Sequence, residues 1–298
     1  MTSIIIGHTS MLGSALKSRL DQTGGPYITA GRSADSDIHI DLSVLPPALP
    51  KNCVPIGDVE NIYVLASSFE GDTANGTNAN LLVNSASAAY AILLADTLKP
   101  QALIYSGSVS SYDDFDIQRG LSSYGLTKRI AEELLEWWAR QSKVRFASIR
   151  FSQLFDDIGM CIAHQPWIGR IVRYAFEKRP LYMPKSEGKR NFLHVQDAAV
   201  LLSEVSQNTH LSGILNGCSP HQYSYEDLAR IAFTFNECID NLNISNEKRP
   251  FRPVCLPKDR LLYKVLNQEP MISPARWIEQ IAALKSWPCF GPMDVQES

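Results

Sequence analysis

The 298-residue chain is 45% hydrophobic and 20% charged, which suits one large core, or a main core with a smaller lobe, and excludes a disordered or fibrous protein. Its net charge of −3, with acids and bases intermixed, offers no basic stripe for a phosphate backbone to follow, so nucleic acid is not an expected partner. The six cysteines (Cys53, Cys161, Cys218, Cys238, Cys255 and Cys289) form no C-x-x-C pair and have no matching histidine spacing; they read as reduced thiols, and no metal is expected.

The start, Met1 to Gly7, has no basic segment and breaks its apolar run early. No later run reads as the ~20 apolar residues of a membrane span. A cytoplasmic protein without a membrane partner is the expectation.

Short β-branched runs then alternate with helical patterns. Ile4-Ile5-Ile6 reads as a strand, Met11 to Leu20 as a helix, and Tyr27 to Ala30, Ile38 to Asp41 and Ile62 to Leu65 as strands. A helix follows from Asn78 to Leu98, a strand from Ala102 to Ser106, a helix from Tyr124 to Gln141, and a strand from Phe146 to Arg150. This rhythm predicts an α/β fold, a doubly wound parallel sheet covered on both faces, with ligands at the carboxyl ends of its strands. After Arg150 prolines become frequent (Pro166, Pro180, Pro184, Pro220, Pro250, Pro253, Pro257, Pro270). Residues 1–150 are therefore assigned to a nucleotide-binding domain and 151–298 to a smaller C-terminal lobe. Segments near 191–216, namely Phe192 to His194 and Gly213 to Asn216, are expected to return to the main sheet.

The loop Gly7-His8-Thr9-Ser10-Met11-Leu12-Gly13 joins the first strand to the first helix, where backbone N–H groups and the positive helix end would meet a pyrophosphate. Against the form G-x-x-G-x-x-G, Ser10 replaces the middle glycine. The competing reading is a plain strand-to-helix turn with Ser10 as N-cap. At the end of the second strand stands Gly31-Arg32-Ser33 rather than an acid. A guanidinium beside a hydroxyl suits a ribose 2′-phosphate, so Arg32, more than Ser33, points to NADP over NAD; the alternative is a solvated loop charge.

Ser108 follows the fifth strand, and Tyr124 and Lys128 open the next helix at i and i+4, on one face. A nearby ammonium would favour the phenolate and bring Tyr124 towards working range as a proton carrier, while Ser108 would hold the reacting oxygen. The spacing also occurs at Tyr174 and Lys178, so context decides: Tyr124 follows a strand carrying a serine, and Tyr174 does not.

Together with Asp41-Leu42, Leu65-Ala66, Asn84, Arg150 and Gly188-Lys-Arg-Asn-Phe-Leu-His-Val-Gln-Asp197, these motifs resemble, in order and over nearly the whole chain, the extended short-chain dehydrogenase/reductase family of nucleotide-sugar epimerases, dehydratases and reductases. The resemblance implies a Rossmann-type cofactor domain and a lobe that closes over a nucleotide sugar. It implies Ser108, Tyr124 and Lys128 as the catalytic set, with Lys128 also on the nicotinamide ribose. Gly7, Ser10, Met11, Leu12, Gly13, Arg32, Ser33, Asp41, Leu42, Ala66 and Asn84 complete the expected cofactor site. Arg190 matches the position that meets the substrate's phosphates, a task that suits a guanidinium. Gln153 stands where an asparagine commonly faces the substrate, and Phe155-Asp156-Asp157 replaces the usual Tyr-Gly-Pro.

Within the family, the histidine after Gly7, together with Arg32, resembles the NADPH-using reductase branch typified by GDP-fucose synthase. Val109-Ser110 after Ser108 lacks the Asp-Glu pair of the dehydratases. Cys161 and His164 lie near the epimerising histidine of that branch without aligning to it, and read as a core thiol and a surface imidazole. The resemblance also implies a homodimer through two helices, with Trp137 and Trp138 near the interface. Reduction of a keto-sugar nucleotide is the first reading; epimerisation with retained NAD, or a non-catalytic dinucleotide sensor, are the alternatives.

Overall fold

The computed structural model describes residues 2–44, 49, 58–112, 120–163, 166–266 and 272–284. Cys53, His164, Pro270 and Cys289 lie outside them. The chain divides into two compact units, Met1–Phe151 with Ala198–Gly217 and Asp259–Asn267, and Ser152–Asp197 with Cys218–Lys258 and Gln268–Ser298.

The first unit is built on β1 (Thr2–Ile6), β2 (Tyr27–Gly31), β3 (Ile38–His39), β4 (Val59–Val64), β5 (Ala102–Ser108), β6 (Arg145–Phe151) and, by its place in the chain, β10 (Gly213–Gly217). Their order is β10-β6-β5-β4-β1-β2-β3, and every pairing is parallel. The expected doubly wound sheet is thus present. Parallel neighbours require crossovers, and here these include α1 (Met11–Thr23), α2 (Ala74–Leu98) and α3 (Ser123–Ser142). The chain runs outward from β1 to β2 and β3 on one side and to β4, β5 and β6 on the other. The tips of β1 and β4 therefore flank the switch point at which such sheets take their ligands.

Both faces of the sheet are covered, so its central strands are buried in continuous runs rather than alternately: Ile4, Ile5 and Ile6 are all fully buried, as are Leu103 and Ile104. One face packs on Ala88, Tyr90, Ala91, Leu94 and Ala95 of α2 and on Ala131, Leu135 and Ala139 of α3. Contrary to the expectation from sequence, α2 has an 18-residue window with a mean hydropathy of 1.4, enough by length and composition to cross a membrane. In the fold it lies against the sheet and α3, and its small alanines and serines let both approach closely.

The second unit holds β7 (Gln153–Phe155), β8 (Leu181–Pro184), β9 (Arg190–His194), β11 (Gln222–Tyr223) and β12 (Leu242–Ser245), with α4 (Pro166–Phe176), α6 (Tyr225–Phe235) and α8 (Pro274–Leu284). α6 packs on α4 and α8. Helix α5 (Val195–Gln207) links β9 to β10, and α7 is Arg260–Leu266. Of the two segments expected to rejoin the main sheet, β10 does so alongside β6. Phe192 to His194 does not: β9 lies between β7 and β11 in a separate three-stranded sheet. All five of its residues are buried, as in a main-sheet strand, so its apolar run could not tell one sheet from another.

Candidate active site

The loop after β1 is shaped by close backbone contacts. Gly7 has φ +88°, and a Cβ there would lie 2.5 Å from the backbone nitrogen of Ala66 at the tip of β4; a Cβ on Gly13 would lie 2.3 Å from the Gly7 carbonyl oxygen. Both glycines are required, because loop, helix and neighbouring strand meet with no room for a side chain. Ser10 needs no such freedom: at φ −67° it is the N-cap of α1, its Oγ accepting from the Gly13 N–H at 3.0 Å. The replacement of the middle glycine is thus compatible with the turn. The first-turn amides at Met11 and Leu12 have no intrahelical acceptor and stand at the positive end of the helix beside the switch point. This donor set fits a dinucleotide pyrophosphate.

Around the tip of β2, Arg32 is exposed on the following loop, and its charge helps to hold the Asp41 carboxyl low, after the larger effects of hydrogen bonds from Ser43. Ser33 hydrogen-bonds Asp35. Asp41 accepts from the Ser43 N–H at 2.9 Å and Oγ at 2.6 Å, and Leu42 is buried in the core, so this pair shapes the turn after β3. Asp37 is bound to the Thr29 N–H and hydroxyl, away from the strand tip.

Asn84 is buried on α2. Its Oδ1 accepts from the Ser68 N–H at 2.9 Å, and its Nδ2 donates to Thr127 Oγ1 at 2.7 Å. One turn earlier, Asn80 accepts from the Glu70 N–H and donates to Ser123 Oγ. The two amides therefore fasten the segment after β4 to the start of α3. Asn84, expected at the cofactor, here has its amide bound to protein partners. The segment it anchors carries Ser67, which hydrogen-bonds the Tyr124 hydroxyl, and Phe69, whose ring meets the Tyr124 ring edge-on at 4.7 Å. Ser67 and Asn80 were not foreseen from the sequence. An asparagine repeated one helical turn apart was the available signal.

Ser108 is the last residue of β5 rather than lying beyond the strand, and its hydroxyl accepts from the Ser110 N–H at 3.1 Å and bonds the Tyr124 hydroxyl. Ser122 caps α3, which opens with Tyr124 partly exposed and carries Lys128 one turn on, 2% exposed, with Nζ 4.3 Å over the Tyr105 ring. The structure thus brings Ser108, Tyr124 and Lys128 onto adjoining elements at the sheet's carboxyl edge. The electrostatics differ from the expected pattern. Burial raises the Tyr124 phenol above its ordinary 10, against the hydrogen bonds of Ser108 and Ser67, and burial lowers Lys128 to about 7, against the attraction of Glu132. Desolvation sets the direction of both shifts, and the groups that oppose it at the phenol are the two serines rather than the lysine that the spacing had suggested.

Gln153 and Arg190 belong to the second unit. Gln153 is buried on β7 with Oε1 unpartnered, and Arg190, at the start of β9, lies 4.9 Å over the Tyr225 ring with its buried Nε unpartnered. The rival pair Tyr174 and Lys178 does not share a helical face: α4 ends at Phe176, and Lys178 has φ +53°. Cys161 is a fully buried thiol that burial pushes far up, which suits a core residue.

No curated protein matches the chain. Among solved structures the chain is similar to UDP-N-acetylglucosamine 4-epimerase from Bacillus cereus, at 18% identity and TM-score 0.73, over 95% of this chain and 96% of that one. It is similar to MoeE5 in complex with UDP-glucose and NAD, at 18% identity and TM-score 0.75, over 95% and 98%. A third is UDP-glucose 4-epimerase of Thermus thermophilus in complex with NAD, at 12% identity and TM-score 0.70, over 96% and 99%. These likenesses establish a shared fold. The family model described as the NAD dependent epimerase/dehydratase family matches residues 3–216, from β1 through the loop, Tyr124 and Lys128 to β10, and the chain belongs to that family.

Proposed function

We propose that the protein is an NAD(P)-dependent oxidoreductase acting on a nucleotide-linked sugar, and that its reaction is the reduction of a keto-sugar nucleotide. The observation that carries this reading is the Tyr124 hydroxyl, bonded by Ser108, with Lys128 buried one helical turn away. When bound, a nicotinamide dinucleotide supplies the hydride. Ser108 orients and polarises the carbonyl oxygen of the sugar. Tyr124, its phenol raised by burial, keeps its proton at neutral pH and delivers it from Oη to that oxygen as negative charge develops there. The protonated form of Lys128 stabilises the phenolate left behind.

Arg32, with Ser33, is assigned to the 2′-phosphate of NADP, with NAD as the alternative cofactor; Arg190 is assigned to the nucleotide phosphates and Gln153 to the sugar. The reading extends to a cytoplasmic homodimer, with Trp137, 59% exposed on α3, at its interface.

Epimerisation with retained NAD is the second reading. It is favoured by the NAD complexes of the Thermus thermophilus epimerase and of MoeE5, whose fold this chain shares. Incubation with NADPH and a panel of keto-sugar nucleotides, with absorbance followed at the reduced nicotinamide, separates the two. Stoichiometric loss of NADPH supports reduction. NAD that copurifies, with an epimeric product and no net change in absorbance, supports epimerisation. Tight dinucleotide binding without turnover of any sugar would reject both in favour of a sensor.

A further inference from the structure

We infer that Glu132 is a positioning residue for Lys128, sharing its single negative charge between that amine and the guanidinium of Arg150. The inference rests on the reading of Lys128 as part of the reacting site.

Glu132 lies one turn beyond Lys128 on α3, so the two side chains share a helical face, and both are buried, at 1% and 2% exposure. A buried carboxylate persists only when its charge and lone pairs are met. Here Arg150, from β6, donates from Nε to Oε1 at 3.1 Å and Oε2 at 3.2 Å and from Nη2 to Oε1, while Ser148 donates from Oγ to Oε2. Arg150 is itself held, its Cζ lying 4.3 Å over the ring of Tyr112, whose hydroxyl donates to Asn216 Oδ1 on β10 at 2.9 Å. The carboxylate is thereby fixed to β6 through Ser148 and Arg150, and Arg150 is braced in turn through Tyr112 against β10.

Lys128 faces Tyr105 from β5 and shares α3 with Tyr124 and Glu132, while Arg150 stands behind Glu132; the α2 residue nearest in this network, Asn84, is uncharged and bound to Thr127. Among these described groups Glu132 is the anion that acts on the amine, opposing a burial that otherwise strips its proton. Arg150 draws on the same anion. Removal of the carboxylate and removal of its second partner should therefore move Lys128 in opposite directions, which a purely structural ion pair would not do.

The test uses the full chain without ligand, as the pH dependence of its thermal midpoint between pH 5.5 and 10.5, with Lys128→Met as the background that lacks the amine. Wild type should gain stability relative to that background as pH rises above about 7, where the folded protein has lost the proton that the unfolded chain keeps. In Glu132→Gln the rise should begin about one pH unit lower, and in Arg150→Gln it should begin higher. With NADPH as probe, followed by its fluorescence, Glu132→Gln should bind about tenfold more weakly at pH 7.5 and within about threefold of wild type at pH 5.5, as a one-unit displacement requires.

A uniform loss of stability across the pH range, with the onset unmoved, or displacement of both variants in the same direction, overturns the inference. If Glu132→Gln does not fold, Arg150→Gln decides alone: an upward onset supports the assignment, and an unchanged or lowered one rejects it. Because the ligand-free melts need no substrate, failure to turn over any sugar would refute the proposed function and leave this measurement intact.

Discussion

Replacement of Lys128 by methionine is expected to stabilise the protein while abolishing turnover. The amine is almost wholly enclosed, and enclosure brings it from 10.5 to about 7. At about 1.4 kcal/mol per pH unit, that fall puts a ceiling of about 5 kcal/mol on the cost of holding the charge inside the fold. Methionine fills a similar volume without the charge, but it forfeits the attraction of the ammonium for the Tyr105 ring at 4.3 Å, which is worth about 2 kcal/mol when desolvated. A net gain of about 3 kcal/mol is therefore expected at pH 6 to 7. At a few degrees per kcal/mol, that is a rise of several degrees in Tm. Glu132 keeps Arg150 and Ser148, so the substitution does not strand a buried anion.

The sign of the pH dependence follows from the same values. The unfolded chain binds the proton up to about 10.5 and the folded one releases it near 7, so wild-type stability climbs with pH through that window. The variant has no such climb. Thermal melts followed by circular dichroism at pH 6, 8 and 10 should show a gap that is widest at pH 6 and narrows as pH rises. A variant that melts below wild type at pH 6, or a gap that stays constant to pH 10, would refute the argument that burial of this charge costs stability. Such a cost is the usual mark of a group retained for chemistry rather than packing.

Three further outcomes can be checked. Tyr124→Phe should lower kcat by a factor of about 10² to 10⁴, the ordinary worth of a positioned acid, with dinucleotide affinity little changed; full activity would reject the proton-transfer role. Arg32→Ala should weaken NADPH binding by about tenfold or more while leaving NADH nearly unaffected, as loss of a charge-assisted contact to a 2′-phosphate requires; equal weakening of both, measured by fluorescence titration, would remove Arg32 from cofactor choice. Asn84→Ala leaves the Ser68 N–H and Thr127 hydroxyl without their 2.9 Å and 2.7 Å partner. It should cost about 1–3 kcal/mol by urea unfolding, and wild-type stability in this variant would mean that the clamp carries no load.

Much of the first unit is legible in the sequence because its determinants are local. A buried parallel strand is a short β-branched run, as Ile4 to Ile6 are, and the helix after the first strand shows its cap at Ser10. Gly7, Gly13 and the Tyr124–Lys128 pair are likewise local patterns. Their meaning comes from chain order, which in a doubly wound sheet places strand ends at one edge. Asn84 and Asp41-Leu42 stood in the right order too. However, order could not reveal that the Asn84 amide is taken by Ser68 and Thr127, or that Leu42 faces the core.

What the amino-acid sequence determined by itself was the fold class, the loop and the pairing of a phenol with an amine. Each follows from backbone stereochemistry and helical spacing within a few residues. Only the tertiary structure decided which sheet β9 joins, that Ser67 reaches Tyr124 from a segment 57 positions earlier, and that Glu132 of α3 meets Arg150 of β6. These are contacts between residues distant in the chain. The charge state of a buried group depends on the solvent such contacts exclude, and the protein lowers its lysine and raises its tyrosine by that means rather than by their spacing along one helix.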